Sequence, residues 1–302
     1  LLFPVMTVSG DRTGRGTPES LTRVRFTNLA KLMFPAAGIT KQEVIAYYIR
    51  MAPRMLPFLA KRPLTMHRYP EGVDGGDFYE KDAPLGTPGY VDIFPHWSGT
   101  AEREVRFVVC NNLDTLLWLA NLASLELHVT LSTADRYDSP DFLLFDIDPE
   151  PPLTLDAVIE VAHIIRGHLA DRGLRPYVKT SGKKGLHIVV PLVPGHRFGD
   201  VRDYVHELGK KIAKDIPWVV SEFPRSRDAG TVFVDYLQNA HGKTMAAPWS
   251  LRATPGANVS TPIAWEALRP GLRPEDFNIR TVLPGSVDPW RGILDDRQTI
   301  GK

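Results

Sequence analysis

The chain has 302 residues, 43% of them hydrophobic, which is enough to bury the core of one large domain or of two small ones. No apolar run approaches the roughly 20 residues that cross a bilayer, and the single cysteine, Cys110, excludes an intrachain disulfide. The composition therefore favours a globular protein of a reducing compartment, cytoplasmic by default, and gives no reason to expect a membrane partner.

The formal net charge of +1 conceals a strong segregation along the chain. Residues 1–70 carry 11 Lys and Arg against 3 acids, residues 71–171 carry 5 against 19, and residues 172–252 carry 14 against 7. Such blocks are often ordinary solvated faces. The functional interpretation is an acidic, metal-binding floor flanked by basic surfaces that hold polyanions.

Structure is expected to begin after a flexible N-terminal segment, residues 1–22, that is rich in Gly, Thr, Arg and Ser. Thr40 and Glu43 have the spacing of a capping box and predict the start of a helix, which Pro53 ends or bends. Asn112 predicts the N-cap of a second helix, because Leu residues recur at helical spacing after it.

The centre of the chain predicts strands and helices in turn. A strand over 142–147 leads to a helix opened by Thr154. Further strands are predicted over 175–179, 186–192, 218–222, 231–237 and 243–247, with a helix over 200–214 before the last three. The proline-rich tail beyond about 255 is expected to wrap the surface, apart from a short helix near 262–268. This order predicts an α+β fold with mixed or antiparallel sheets flanked by helices.

Two acids interrupt the strand over 142–147 and its continuation. Side chains alternate faces along a strand, so Asp146 and Asp148 point the same way. Adjacent carboxylates repel unless a divalent cation lies between them and takes both as oxygen ligands. The pattern indicates a metal site, although a strand whose end simply emerges into solvent can carry the same residues.

The segment from Lys179 to His187 reads Lys-Thr-Ser-Gly-Lys-Lys-Gly-Leu-His. Two glycines in a tight turn let backbone amides converge, and Ser181, Lys183 and Lys184 add a hydroxyl and positive charge. This is typical of a phosphate-binding turn, with His187 as a further donor. The alternative is a basic hairpin tip. A Walker loop is excluded because it needs four residues between the first glycine and Gly-Lys-Ser/Thr.

Asp235 is a third acid inside an apolar strand. It could complete a two-metal site of the kind that serves phosphoryl displacement, or it could be a satisfied structural group. Four cations surround it in sequence, namely Arg225, Arg227, Lys243 and Arg252, and each could equally be a surface charge.

The three segments together resemble the catalytic core of the archaeal and eukaryotic primase superfamily. More narrowly, the chain is similar to the polymerase domain of bacterial ligase D, an end-joining repair enzyme. The motifs that support this narrower resemblance lie at 27–35, 40–41, 68–73, 78–81, 125–129 and 234–239. The resemblance runs from about residue 24 to 283.

The resemblance implies roles for individual residues around the nucleotide. Asp146, Asp148 and Asp235 would hold two divalent ions, Mn²⁺ or Mg²⁺, with His128 near the metal centre. Residues implied to bind the incoming NTP or dNTP are Ser181, Lys184, His187, Lys243, Arg252 and Gln238, with Phe78 and Tyr79 as an aromatic platform. Tyr79 stands where a second Phe is common in the family, which leaves the ribose preference open.

It also implies contacts to DNA. Asn28, Lys31 and Lys41 match a pocket that grips the 5′-phosphate of a gapped or recessed end. Arg68, Lys81, Arg225 and Arg227 are expected to contact the DNA or template strand. Partners implied by the resemblance are DNA ends with 3′ overhangs or gaps, a Ku-type end-binding protein and an ATP-dependent DNA ligase, in the prokaryotic cytoplasm at the nucleoid.

The implied domain order is a flexible segment at 1–22, a bilobed primase-type polymerase domain at 23–283 and a tail at 284–302. Within the domain, an N-terminal lobe would cover about 23–110, a catalytic lobe about 111–255 and a wrapping segment 256–283. The implied function is a template-directed nucleotidyltransferase of non-homologous end joining that fills gaps with ribonucleotides by preference. Alternatives are a stand-alone primase-polymerase, a non-catalytic end-bridging module and a metal-dependent phosphohydrolase.

Overall fold

The computed structural model describes residues 22–99, 101–222 and 229–301. The expected flexible segment, except for its last residue, and the predicted DNA contacts Arg225 and Arg227 lie outside the described residues. The helices are α1 (Lys41–Leu59), α2 (Leu113–Asn121), α3 (Leu155–Ala170) and α4 (Phe198–Asp215). The strands are β1 (Leu32–Phe34), β2 (Ile39–Thr40), β3 (Leu64–Arg68), β4 (Phe78–Glu80), β5 (Asp92–Ser98), β6 (Arg103–Val109), β7 (Ser124–Thr130), β8 (Phe142–Pro149), β9 (Tyr177–Thr180), β10 (Leu186–Pro191), β11 (Val219–Val220), β12 (Val232–Asp235), β13 (Thr244–Ala246) and β14 (Pro262–Ile263). No described helix has the length and apolar character required to span a bilayer.

Local signals set the starts of the first two helices. The Glu43 amide donates to the Thr40 hydroxyl at 3.3 Å, and the Thr40 amide donates to the Glu43 carboxylate at 2.8 Å, so the predicted capping box is present. The Thr115 amide donates to the Asn112 side chain at 2.9 Å at the start of α2. Both predictions are confirmed.

Of the two outcomes predicted for Pro53, an end of the first helix is wrong, because α1 continues through Pro53 and Pro57 to Leu59. Both prolines lie on the exposed side of the helix. A proline removes one backbone donor, and the carbonyl left without that donor can turn to water when it faces solvent. The buried side of α1 then supplies enough apolar contact to carry the helix on.

A six-stranded sheet forms the centre of the site, in the order β11-β12-β8-β10-β9-β14. The prediction for the proline-rich tail was partly wrong where the tail joins the edge of this sheet. Pro262 and Ile263 pair with β9 as the sixth strand, and within the predicted helix range a 3₁₀ turn, Trp265–Ala267, takes the place of an α-helix. A proline is tolerated there because an edge strand has one side without ladder partners.

A four-stranded sheet, in the order β13-β7-β3-β4, stands beside the first. On β8, Leu143, Phe145 and Ile147 face a core that includes buried residues of α3 and α4. The opposite face sends Leu144 into the other core, which is built from α1, α2 and the second sheet. The face of β8 that carries Leu144 therefore packs into the core of the second sheet. Asp146 and Asp148 lie further along the same face, past this contact. The architecture confirms the α+β prediction.

Candidate active site

Four polar side chains form a row across the central sheet. Asp146 of β8 stands opposite Asp235 of β12 on one side and His187 of β10 on the other, and His187 stands opposite Lys179 of β9. Directly opposed residues of antiparallel strands share a face. The register therefore brings Asp146 and Asp235, which are distant in sequence, side by side, and Asp148 lies two residues further along the same face.

The carboxylate of Asp235 is affected by the opposed carboxylate of Asp146. Burial and the charge of Asp146 raise the pKa of Asp235, despite hydrogen bonds from the Leu237 amide at 2.9 Å and the Gln238 side chain at 3.3 Å. The nearby charge of Lys243 only partly offsets this. A raised pKa means that the ionised form lacks the compensation that water would give it, which is the condition a bound cation relieves.

His187 stands between an acid and a base. Its Nε2 lies 3.3 Å from Asp146 Oδ1, and its Nδ1 is buried with no hydrogen-bond partner among the described residues. Burial, with the charges of Lys179 and Arg252, holds the pKa of His187 well below its usual range. The imidazole is therefore neutral at physiological pH and can donate from only one nitrogen at a time.

The predicted phosphate-binding turn connects β9 and β10. The Ser181 hydroxyl accepts from the amides of Gly185 at 3.1 Å and Lys183 at 3.3 Å, and the Ser181 amide donates to the Gly185 carbonyl at 2.9 Å. Gly182 has a φ of 77°, which a residue with a side chain rarely adopts. A Cβ at Gly185 would lie 2.1 Å from the Ile147 carbonyl oxygen and 2.4 Å from Asp148 Oδ1. The absence of a side chain at Gly185 thus allows the turn to pack directly against β8, next to Asp148.

Cations surround this turn. Lys184 Nζ lies 3.0 Å from Glu150 and 3.1 Å from the Pro149 carbonyl, so it is held at the end of β8. Arg252 donates through Nη1 to the Ser181 carbonyl. A cavity of about 580 Å³ beside the turn is lined by Asp146, Asp148, Ser181, Lys183, Lys184, His187, Arg252 and Asn258, among others.

A second cavity, of about 330 Å³, adjoins the first. Both cavities share Asp146, His187 and Arg252 as lining residues, so together they form one cleft. The second cavity is further lined by Tyr79, Lys81, His128, Gln238 and Lys243. The fold thus gathers most of the predicted catalytic and nucleotide-binding residues around one cleft, with Phe78 exposed next to Tyr79.

Aromatic side chains lie on the second sheet. Tyr79 is 60% exposed and stacks on the His67 ring, with centroids 3.8 Å apart. The Tyr69 hydroxyl donates to His67 Nδ1 at 2.9 Å, and His67 Nε2 donates to Asp77 at 2.5 Å. Phe78 is 44% exposed and has the Arg68 guanidinium 5.2 Å from its ring centroid. His67 therefore fixes the Tyr79 ring from behind.

Glu126 is a functional candidate that the sequence did not single out. Among the described residues, it forms with His67 and His128 the one group of three potential metal ligands whose atoms all lie within 4.8 Å of one another. Burial would raise the pKa of Glu126, but the hydrogen bond from His128, the nearby His67 ring and the Arg252 charge outweigh it and hold the pKa well below its usual range. Because cations already surround the carboxylate, the group is an ion-pair cluster rather than a place for a further cation.

Lys179 was also missed. It is fully buried, donates to the Ser260 hydroxyl at 2.5 Å, and burial followed by the Arg252 charge holds its pKa well below the usual range. The only signal in the sequence was its position two residues before Ser181. Its place at the end of the row of polar side chains depends on the register of β9 against β10, which the neighbouring residues in the sequence do not reveal.

The three residues predicted to bind a 5′-phosphate do come together at the start of α1. The Lys31 amide donates to the Asn28 carbonyl at 3.0 Å, and the Lys41 amide donates to the Lys31 carbonyl at 2.8 Å. Lys41 is 5% exposed, and burial and then the Lys31 charge lower its pKa. Lys31 Nζ itself lies 2.6 Å from Glu71, which is exposed.

Two predicted DNA contacts differ in their surroundings. Lys81 lines the cleft. Arg68 donates to Glu80 at 2.7 Å and to the Leu122 carbonyl at 3.2 Å, so its charge is already paired within the second sheet. A contact from Arg68 to DNA stays a prediction, and this pairing would have to open for it.

Comparison with known proteins decides the family. The sequence model of one protein family, the LigD primase-polymerase domain, matches residues 40–290 of this chain. This chain belongs to that family. It is therefore a nucleotidyltransferase of the polymerase and primase kind, and the resemblance noted from its motifs is confirmed.

Curated relatives and a solved structure agree with the family assignment. The multifunctional non-homologous end joining protein LigD of Mycolicibacterium smegmatis is 35% identical over 84% of this chain, and the bifunctional LigD of Bacillus subtilis is 30% identical over 86%. The chain spans only 34% and 42% of those two proteins. The polymerase domain of Mycobacterium tuberculosis ligase D, solved in complex with DNA, superposes with a TM-score of 0.80 at 31% identity, covering 91% of this chain and 96% of that one.

Proposed function

We propose that this chain fills gaps at DNA ends during non-homologous end joining. It would transfer nucleotides, ribonucleotides by preference, to a primer 3′-hydroxyl opposite a template before ligation. The observation that carries the proposal is the register that sets Asp235 opposite Asp146 on the sheet face beside the phosphate-binding turn. Family membership supports the same chemistry.

The residues that would hold two divalent ions, Mn²⁺ or Mg²⁺, are Asp146, Asp148 and Asp235. Their carboxylates are the hard oxygen donors that such ions prefer. Burial and repulsion from Asp146 raise the pKa of Asp235, and a bound cation would offset both effects. When bound, the ions would lower the pKa of the 3′-hydroxyl and neutralise charge that develops on the phosphoryl group.

The chain's own groups would bind and orient the triphosphate. The amides of Ser181, Lys183 and Gly185 are paired within the turn, so the turn would offer the amides of Gly182 and Lys184. The Arg252 and Lys184 side chains, which line the cavity beside the turn, would offer charge. Lys184 is 44% exposed and would exchange its Glu150 partner for a phosphate oxygen. The neutral His187 would donate one hydrogen bond to the leaving pyrophosphate, so that the bond to be broken is held in line with the 3′-hydroxyl.

The base would stack on the exposed aromatic pair. Stacking accepts any base, which suits a polymerase whose sequence choice comes from the template. His67 holds Tyr79 in place, so little side-chain freedom would be lost on binding. Gln238 and Lys243, which line the same cavity as Tyr79, would face the sugar and phosphates.

The DNA end would bind at the start of α1. The positive end of the helix dipole favours an anion there, whereas the first-turn amides of Lys41 and Glu43 are already paired within the protein. Lys31, Lys41 and Asn28 converge there, and a 5′-phosphate would displace Glu71 from Lys31. Lys81 would contact the template strand, and a Ku-type protein and an ATP-dependent ligase would act at the same end.

The test is extension of a gapped duplex, with and without a 5′-phosphate, by wild type and Asp235→Ala, with NTPs or dNTPs. We expect template-directed addition that the 5′-phosphate and NTPs both increase, and that Asp235→Ala abolishes. Nucleotide hydrolysis without extension, or full activity of Asp235→Ala, would contradict the proposal. Priming on a bare single strand that ignores the 5′-phosphate would instead favour a stand-alone primase.

A further inference from the structure

The buried carboxylate of Glu126 joins the two sheets at the cleft. It lies on β7, in the four-stranded sheet, and is completely shielded from solvent. Its Oε2 lies 3.1 Å from Arg252 Nε and accepts from His128 Nε2 at 3.0 Å. Its Oε1 lies 3.2 Å from Lys183 Nζ and accepts from the Ala253 amide at 2.9 Å.

Two of these partners belong to the phosphate-binding side of the cleft. Lys183 is in the turn itself, and Arg252 donates through Nη1 to the Ser181 carbonyl of that turn. Both line the cavity beside the turn. Glu126 thus reaches the turn through two cations while staying out of the cavity lining itself.

The negative charge of Glu126 keeps the two cations close to one another. Two cations that contact one carboxylate stand close together, and without it they would repel and separate. The Lys183 side chain is 42% exposed and would turn to water, whereas the Arg252 side chain, only 9% exposed, would keep its bond to the Ser181 carbonyl but lose the contact that holds it next to Lys183.

We propose that Glu126 is a positioning residue that holds Lys183 and Arg252 side by side for the triphosphate. The inference rests on the proposed function for the nature of the substrate. It also assigns Lys183, beside Lys184, to polyphosphate binding. Cations fixed in advance bind phosphate with a smaller loss of side-chain freedom, so the effect belongs mainly to affinity.

The first variant is Glu126→Gln, which can still accept from the Ala253 amide but lacks the charge. We expect the Kd for inorganic tripolyphosphate, measured by calorimetry, to rise about 10-fold, which corresponds to about 1.4 kcal/mol. The nucleotide KM should rise by a similar factor, with kcat within about 3-fold of wild type. A purely structural role would lower the melting temperature and leave the Kd of the folded protein unchanged, and that result would overturn the inference.

Lys183→Met keeps the test decisive if Glu126→Gln does not fold, because Lys183 is half-exposed and easily replaced. Its control is Lys214→Met, which removes the same charge from the exposed last turn of α4. We expect weaker tripolyphosphate binding for Lys183→Met alone, and equal Kd values for the two lysine variants would overturn the inference. With both variants folded, the double variant Glu126→Gln/Lys183→Met should bind less weakly than the product of the single effects.

Tripolyphosphate binding needs no polymerase activity, so the two proposals can fail separately. Wild-type protein that extends no primer but shows the expected order of Kd values would overturn only the gap-filling proposal. Wild-type protein that extends primers, with Kd and KM values unaffected in the variants, would overturn only the role of Glu126.

Discussion

Asp235 shows how a residue can serve a site at a cost to the fold. Burial and Asp146 raise its pKa above the value in the unfolded chain. An acid whose pKa is raised on folding destabilises the protein once it ionises, so the penalty is absent below the unfolded pKa and complete above the folded pKa. At neutral pH without metal, the charge on Asp235 therefore opposes folding.

Asp235→Asn removes that charge while retaining an oxygen to accept from the Leu237 amide, which donates to Asp235 at 2.9 Å. In EDTA we expect the melting temperature to rise by roughly 2 °C, the scale of less than 1 kcal/mol in a chain of this size. Nucleotide incorporation with Mn²⁺ should fall at least about 100-fold. Calorimetry and primer extension check both. A variant that melts earlier in EDTA would show that the charge does not oppose folding.

At the scale of elements, the turn between β9 and β10 depends on two glycines for different reasons. Gly182 is needed for its positive φ, and Gly185 is needed because its α-carbon lies against the backbone of β8. Strand β8 cannot retreat, since it pairs with β10 on one side and β12 on the other. The close approach therefore sets the distance between the phosphate-binding turn and the acids.

Gly185→Ala should be destabilising by about 3 kcal/mol, the upper end of the usual cost of overpacking, and should abolish incorporation. The matched control is Gly167→Ala in the exposed interior of α3, where a Cβ meets nothing within 4 Å. That control should stabilise the protein by up to about 1 kcal/mol, since alanine favours helix. Urea unfolding measures both changes. Equal effects of the two substitutions would show that the contact with β8 is not what excludes a side chain.

Sequence reasoning succeeded where the signal was local. The capping residues Thr40 and Asn112 contact amides three residues away, so their spacing alone predicts the contacts. It could not decide whether Pro53 ends the first helix, because the burial of the rest of α1 outweighs one missing donor. It also failed at Pro262, because an edge strand is defined by a partner that lies more than eighty residues earlier in the chain.

The residues of the site likewise divide into those that local sequence predicts and those that depend on distant segments. Asp146 and Asp148 could be predicted as a pair because strand alternation is a local rule. The role of Glu126 could not, because its partners Lys183 and Arg252 come from segments that only the packed sheets bring together.

At the scale of the whole molecule, the charge blocks of the sequence meet as ion pairs. Acids of the central block pair with cations of the first block, as in Arg23–Asp114, Lys31–Glu71, Arg62–Asp141 and Arg68–Glu80. They pair with the third block in Lys184–Glu150, Lys183–Glu126 and Arg252–Glu126. The segregation of charge along the sequence therefore supplies ion pairs that bring distant segments together, and the pairs of Lys183, Lys184 and Arg252 do so beside the cleft.

The Arg62–Asp141 pair tests this view of the molecule away from the cleft. Arg62 precedes β3 and Asp141 precedes β8, so the pair joins the two sheets. Two parallel bonds of 2.7 Å connect the guanidinium and the carboxylate, whose side chains are 4% and 11% exposed. Arg62 also donates to the Thr130 carbonyl of β7 at 3.2 Å.

Arg62→Met should reduce the free energy of unfolding by roughly 3 to 5 kcal/mol, because it leaves a buried carboxylate without its partner. Adding Asp141→Leu should restore most of that loss, since two apolar side chains can replace a buried ion pair at little cost. In urea unfolding, the double variant should therefore lie closer to wild type than the single variant does. In the folded protein, the nucleotide KM should match wild type for both, because neither side chain lines the cleft. A double variant as unstable as Arg62→Met would mean that the pair contributes through its shape and hydrogen bonds to Thr130 rather than by neutralising a charge between the sheets.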